Sequence, residues 1–467
     1  MSRTRWILLV LALVAVGIWV FRRPARPPPA ERGRRSEEPE PVLVRAPPPR
    51  AEHVAPILGI NEGLSLPGAG VGLMGGGESV VQRRLLMLRA LGVKMVRANS
   101  HSWPNLAFSS WKGSFADADR FMSIAGRSEL DVVLVIGPWP GTRTAVYTQH
   151  YLPRDMAAYT AWVTSVVERY DGDGVDDMPG LVRPPLAWEV DNEPDQHNQV
   201  AARQDGEPID PEDERLPAPA GSFETASEYA QVLVATSAAI RAADPDATVL
   251  SAGMFRAGMP AGREYLAEVL RQPGVREAID AISLHCYFSN DSLSAVQRTM
   301  RNARALAPDV PIWVTETSVP SEGEQPWVDE AWQARMVAGI VGGLFAEGAQ
   351  RVFWHTLVDA PGTRTGPVGY ARNSLFRASL DGDSVRYDVK PAGDVFKRLI
   401  GHLGAQDPAD FAEIPVEGGR LLETDAGWLA FDGEPVLPPG ARTVEDLVTG
   451  EVMLDPPKAV APAWITR

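Results

Sequence analysis

Eight short β-rich runs, each followed by a stretch with helical periodicity, most restrict what this chain can fold into. The runs are "ILGIN" (57–61), "VKMVRAN" (93–99), "DVVLVIG" (131–137), "LAWEV" (186–190), "TVLSAG" (248–253), "AISLHCY" (281–287), "PIWVTE" (311–316) and "RVFWHTL" (351–357). Between them, "SVVQRRLLMLRALG" carries Val80, Leu85, Leu88 and Leu91 at helical spacing and stops at Gly92. "TASEYAQVLVATSAAIRAADP" opens on a Thr225-x-x-Glu228 capping box and closes on Asp-Pro. "VKPAGDVFKRLIGHL" supplies the helix after the last run. Strand–helix alternation repeated eight times predicts an α/β protein, a (β/α)8 TIM barrel over 53–405. A doubly wound open sheet is the alternative.

The flanks are different in kind. Trp6 to Phe21 is an unbroken apolar run behind Arg3 and Arg5. At ~1.5 Å per residue it reaches about 24 Å, just short of a usual span. Residues 1–21 therefore read as a signal anchor or a signal peptide, and no Ala-x-Ala-like site closes them. Arginines crowd the C-terminal flank, which the positive-inside rule would keep in the cytoplasm. Export remains the expected use of such a run, placing a membrane-anchored or secreted catalytic domain on the extracytoplasmic side. Residues 22–52 hold nine prolines and eight arginines, a composition that cannot bury enough apolar surface to order itself, so this segment reads as a disordered linker. Residues 406–467 carry short alternating runs broken by Asp-Gly, Pro-Gly and Thr-Gly, the signals of a small β-rich region packed on the barrel.

Composition narrows the partners. A formal charge of −15 argues against nucleic acid. The single cysteine, Cys286, excludes an intramolecular disulfide and a cysteine-based zinc cluster. The seven histidines form no H-x-H or H-E-x-x-H pattern, so no metal or organic cofactor is expected. Two motifs are decoys. Gly70 to Gly75 satisfies G-x-G-x-x-G without following a strand directly or meeting a ribose-binding acid. "DGDGVDD" (171–177) looks like a calcium loop but lacks a third ligand at the required spacing and the distal glutamate.

The stretch "WEVDNEPD" (188–195) sets four carboxylates at the end of a strand that ought to be buried. Burying an unpaired charge is costly, so these acids need partners or a task. Glu193 falls at the C-terminal mouth of the fourth strand, and Glu316 at that of the seventh. A closed barrel aims both into one cleft. Two carboxyl groups ~5–5.5 Å apart are what retaining glycoside hydrolysis requires, one as acid and one as nucleophile.

"WEVDNEP" on the fourth strand together with "WVTET" on the seventh resembles the clan A glycoside hydrolases, the retaining barrel enzymes that include families 5 and 39. The resemblance covers about 53–405. It implies a glycosidase acting on oligo- or polysaccharide, with Glu193 as acid/base and Glu316 as nucleophile. It further implies Asn192 on the sugar 2-OH, Arg97 keeping the nucleophile ionised, His285 and Tyr287 as the His-x-Tyr of the sixth strand, and Trp354 as an aromatic platform. Where many family 5 members carry a histidine after the third strand, this chain reads "GPWP", so Trp139 is the candidate sugar wall there. Glu189 reads as a paired structural charge, which Arg97 could also neutralise. Transglycosylation by the same two glutamates and a carbohydrate-binding barrel without catalysis are the competing readings. The acidic, Pro-rich loop 196–223 is expected at the catalytic face, as substrate contact or as a solvated insertion.

Overall fold

The computed structural model describes residues 56–467 apart from 62–77, 99–103, 105, 109–110, 112, 139–151, 154, 197–224, 288–292, 324, 326, 360–371, 382–383 and 455–457. The expectations for 1–21, 22–52, Gly70 to Gly75, Trp139 and most of the loop after the fourth strand therefore lie outside the described residues. No helix among the described residues is long and apolar enough to cross a membrane.

The eight runs form eight parallel strands: β1 (Leu58–Asn61), β2 (Met95–Ala98), β3 (Asp131–Ile136), β4 (Ala187–Val190), β5 (Val249–Leu250), β6 (Ile282–His285), β7 (Ile312–Thr317) and β8 (Ala349–His355). They pair in the order β5-β4-β3-β2-β1-β8-β7-β6. The remaining gap is bridged by parallel contacts Leu250 to Ala281 and Met254 to Leu284, with Ser251 N–H donating to Ala281 O at 3.1 Å. The ring thus closes, which an open doubly wound sheet does not do.

Side-chain alternation then separates two cores. Met95, Val133, Ala187, Leu250, Trp313 and Phe353, from β2 to β5, β7 and β8, fill the barrel interior with Ala281, which directly precedes β6. β1 contributes Gly59 at this level. A Cβ there would stand 2.8 Å from the Phe353 ring, so the glycine makes room for it. The opposite faces of the strands pack outward on the helices. The helix Ala226–Ala243 begins at the capping box expected from the sequence, Thr225 with Glu228.

Two additions decorate the barrel. An antiparallel hairpin, β9 (Phe376–Asp381) and β10 (Ser384–Val389), interrupts the passage from β8 to the final helix, Pro391–Leu403. The Asp-Gly-Asp between its alternating arms is a turn signal that the eight-strand reading passed over. Its root is held by a buried ion pair, Lys390 to Asp359 at 2.7 Å. The second addition is an antiparallel sheet of six strands, β11 (Ala412–Val416), β12 (Gly419–Thr424), β13 (Gly427–Gly433), β14 (Thr443–Asp446), β15 (Val452–Leu454) and β16 (Ala463–Thr466), in the order β11-β12-β13-β16-β14-β15. Phe431 of this sheet seats on Gly342 of the helix Glu330–Ala346, where a Cβ would approach to 2.5 Å. Arg420 ties the sheet to Gln297 at 2.8 Å. Leu421, Trp428, Val444 and Ile465 form a small core of the sheet's own.

Candidate active site

One layer above the interior core, toward the C-terminal ends of the strands, the inward positions turn polar. Asn61 (β1), Arg97 (β2), Glu189 (β4), Ser283 and His285 (β6), and Thr315 (β7) are all buried there. The centre of the layer is Arg97. Its Nε and one terminal nitrogen donate to Glu189 at 2.5 and 3.0 Å. The other terminal nitrogen reaches Glu316 Oε1 at 2.8 Å and Asn61 Oδ1 at 3.0 Å. Asn192 Oδ1 accepts a further bond at 2.8 Å. The guanidinium fork is therefore consumed inside the protein, with both glutamates on one cation. Burial opposes its charge, but Glu189 and Glu316 outweigh burial and raise its pKa further. Glu189 also accepts from Ser283 at 3.0 Å and Thr315 at 3.2 Å, so it is a paired, hydrogen-bonded structural acid.

Glu316 reaches this centre through an irregularity in β7. Along β7, Trp313 and Thr315 face inward, so strict alternation would turn Glu316 outward. The register shifts against both neighbours, between Leu284 and His285 on β6 and between Val314 and Thr317 against β8. One extra residue at this point re-aims the carboxylate into the barrel, a common use of β-bulges beside active sites. Tyr287 then donates its hydroxyl to Glu316 Oε2 at 2.5 Å. Burial works against the Glu316 charge, yet His285, His355, Arg97 and the Tyr287 hydroxyl outweigh it, holding the carboxyl at about 2 against an ordinary 4.5.

Glu193 arrives by a different distortion. Asp191 and Glu193 both have positive φ, 74° and 55°, a conformation that is rare for residues with side chains. Asp191 Oδ1 accepts from the Asn192 N–H at 2.7 Å, and Glu193 N–H donates to Gly253 O at 3.1 Å. Two residues on, buried Asp195 receives the N–H groups of Phe255 and Arg256 at 3.0 and 2.6 Å, fastening the β4 and β5 loops together. Burial raises the pKa of Asp195 despite those donors.

His285 stands between the two glutamates, its Nδ1 2.6 Å from Glu193 and 3.6 Å from Glu316. Burial disfavours its charge, but the two acids prevail and raise its pKa. The ring lies against Gly253, where a Cβ would stand 2.0 Å from Nε2, so position 253 has to be glycine while this ring is present.

Arg97 stands beside Glu316, as expected, and His285 is enclosed between Glu193 and Glu316. Other expectations change. Trp354 is not a platform: it is fully buried on the outer face of β8, near Phe396, and donates its indole N–H to Asn373 O at 2.9 Å. The inward residue is its neighbour, His355, which shares strand parity with Phe353 and meets Asn61 Nδ2 at 2.9 Å. Asn61 and His355 are the site residues that the sequence reading missed. A polar residue closing the apolar run "ILGIN" was the available signal for the first. Cys286 faces outward into the helical core, and burial pushes its thiol up. Trp111 packs on Phe115 and Trp162.

Two trios of the described residues are close enough to share a cation. In Glu193, His285 and Glu316, one ligand atom from each lies within 4.8 Å of the others, and the same holds for Asp171, Asp173 and Asp177. In the first, Nδ1 is already engaged by Glu193. In the second, Asp177 accepts from the N–H groups of Gly172 and Gly174 at 2.9 and 2.8 Å, so the carboxylates fold the turn that contains them.

Residues 218–357, which run from before the fifth strand to the end of β8, match the family model described as glycosyl hydrolase catalytic core. No curated protein sequence matches the chain. Among solved structures, a family 39 glycoside hydrolase from the gut symbiont Bacteroides cellulosilyticus WH2 superposes with a TM-score of 0.55 at 14% identity, over 88% of this chain and 78% of that one. A family 51 α-L-arabinofuranosidase from Bifidobacterium longum gives 0.53 at 13% identity, over 82% and 88%. A family 39 β-xylosidase from Caulobacter crescentus gives 0.50 at 17%, over 86% and 84%. At these identities the likeness is one of fold. Fold and matched segment agree with the resemblance read from the sequence, that of a clan A barrel glycoside hydrolase.

Proposed function

We propose that this protein is a retaining glycoside hydrolase that cleaves O-glycosidic bonds of an oligo- or polysaccharide by double displacement. The observation that carries this reading is the proximity of two differently treated carboxylates. One oxygen of Glu193 and one of Glu316 lie within 4.8 Å of each other, on the side of the short ~5–5.5 Å separation of retaining sites and well short of the ~6.5–9.5 Å that admits an inverting water. Glu316 is buried and held ionised, as a nucleophile must be. The Glu193 side chain keeps a fifth of its surface exposed, open to a leaving group and then to water.

In the first step a Glu316 oxygen attacks the anomeric carbon. The bond to the leaving oxygen breaks as Glu193 delivers its proton there. In the second, Glu193 takes a proton from water, whose oxygen displaces Glu316 from the sugar. Asn192, fixed by Arg97, is the candidate for the 2-OH. A sugar hydroxyl in place of the water would give transglycosylation on the same residues. A binding-only barrel has no need of two carboxylates set this close together.

Proton NMR of the first-formed sugar tests the mechanism. An aryl glycoside should yield product of the same anomeric configuration as substrate, and the opposite anomer would exclude double displacement. Aryl β-xylosides and α-L-arabinofuranosides open the screen. For residues 1–21 the proposal is a signal anchor or signal peptide that exports the barrel. Protease added to intact cells should then degrade it, and a protected cytoplasmic barrel would end that assignment.

A further inference from the structure

His355 takes no part in the scheme above, yet it is the inward residue at the upper end of β8. Tyr287, whose hydroxyl sits on Glu316, presents its ring to His355 edge-on, with centroids 6.4 Å apart. The imidazole is partly exposed. Among the described residues it has one hydrogen-bond partner, Asn61.

That partner fixes where the proton lies. Arginine has donors only, so the Asn61 atom facing Arg97 at 3.0 Å must be the amide oxygen. The amide nitrogen is then the atom 2.9 Å from His355 Nδ1. An NH2 group donates, so Nδ1 accepts and cannot carry a proton. The remaining ring proton has to sit on Nε2. A relay thus runs from a permanently charged guanidinium through an amide to an imidazole whose free edge is a donor.

Resting on the glycosidase reading of the site, we propose that His355 is locked as the Nε2–H tautomer. In that form it is a specificity residue that donates to an oxygen of the sugar held over Glu316. A hydrogen-bond donor here selects a glycone by the position of one acceptor oxygen. An aromatic face would accept any sugar with an apolar side.

Two measurements test this. Long-range 15N–1H NMR of the free enzyme at pH 8 should show His355 protonated at Nε2 and bare at Nδ1. Asn61→Asp, which offers an acceptor to both Arg97 and the ring, should move a proton onto Nδ1. A wild-type ring carrying its proton on Nδ1 overturns the relay. On a glycoside that the wild type cleaves, His355→Phe should lose about tenfold in kcat/KM, the scale of one hydrogen bond. His355→Gln, which keeps an N–H, should recover most of that loss. A phenylalanine variant as active as wild type would show that the ring acts by shape alone. A wild type inert on every glycoside tried, with the tautomer as stated, would instead count against the glycosidase reading.

Discussion

Glu316→Ala is expected to lower turnover on the order of 10⁴-fold or more, the scale on which removal of a covalent nucleophile acts. The chain should remain folded. Arg97 keeps its two bonds to Glu189 and those to Asn61 and Asn192, so the loss of one acid leaves its charge compensated. The space vacated beside Tyr287 admits a small anion. Azide should therefore restore cleavage of a glycoside with an activated leaving group and give a glycosyl azide of inverted configuration. The readouts are release of the aryl group with and without azide, and the circular dichroism of the variant. Full activity without azide would remove Glu316 from the mechanism.

The second large effect is expected at Arg97. Among the described residues, Arg97→Met takes the only cation from Glu189, which is fully buried and then retains the hydroxyls of Ser283 and Thr315. Breaking a buried pair by removing one partner costs about 3–5 kcal/mol. Urea unfolding should register that cost as a lower midpoint, and an unchanged midpoint would contradict it. The same variant should alter pH dependence. Folding depresses the Glu316 pKa from 4.5 to about 2. This contributes stability that is complete above pH ~4.5 and is lost as pH falls through about 2. Ionised Glu316 should likewise keep the acid limb of kcat/KM well below pH 4.5. Without Arg97 one of the groups opposing protonation is gone, so both the stability loss and the acid limb should move to higher pH.

The limits of the sequence reading follow from the geometry of a parallel barrel. Its strands are apolar on both faces, because one face meets the interior and the other the helices. In "RVFWHTL" both alternating sets contain large apolar residues. Nothing local states whether Trp354 or His355 turns inward. Only closure of the ring, which sets Phe353 against Gly59 and the interior core, decides for His355. The seventh strand poses the converse problem. Its order of residues places Glu316 at the right end, but period-two alternation points it the wrong way, and a register shift against two neighbouring strands corrects that.

What the sequence by itself determined is the repeating alternation of strand and helix, hence the barrel, and the two glutamates at the mouths of the fourth and seventh strands. Both are one-dimensional signals, a periodicity and a position. What only the tertiary structure decided is who faces whom. Arg97 is shared by Glu189 and Glu316, His285 is wedged between Glu193 and Glu316, and Asn61 meets the ring of His355, nearly three hundred residues away in sequence. Those contacts join different strands around a closed ring, and their geometry exists only once the ring has closed.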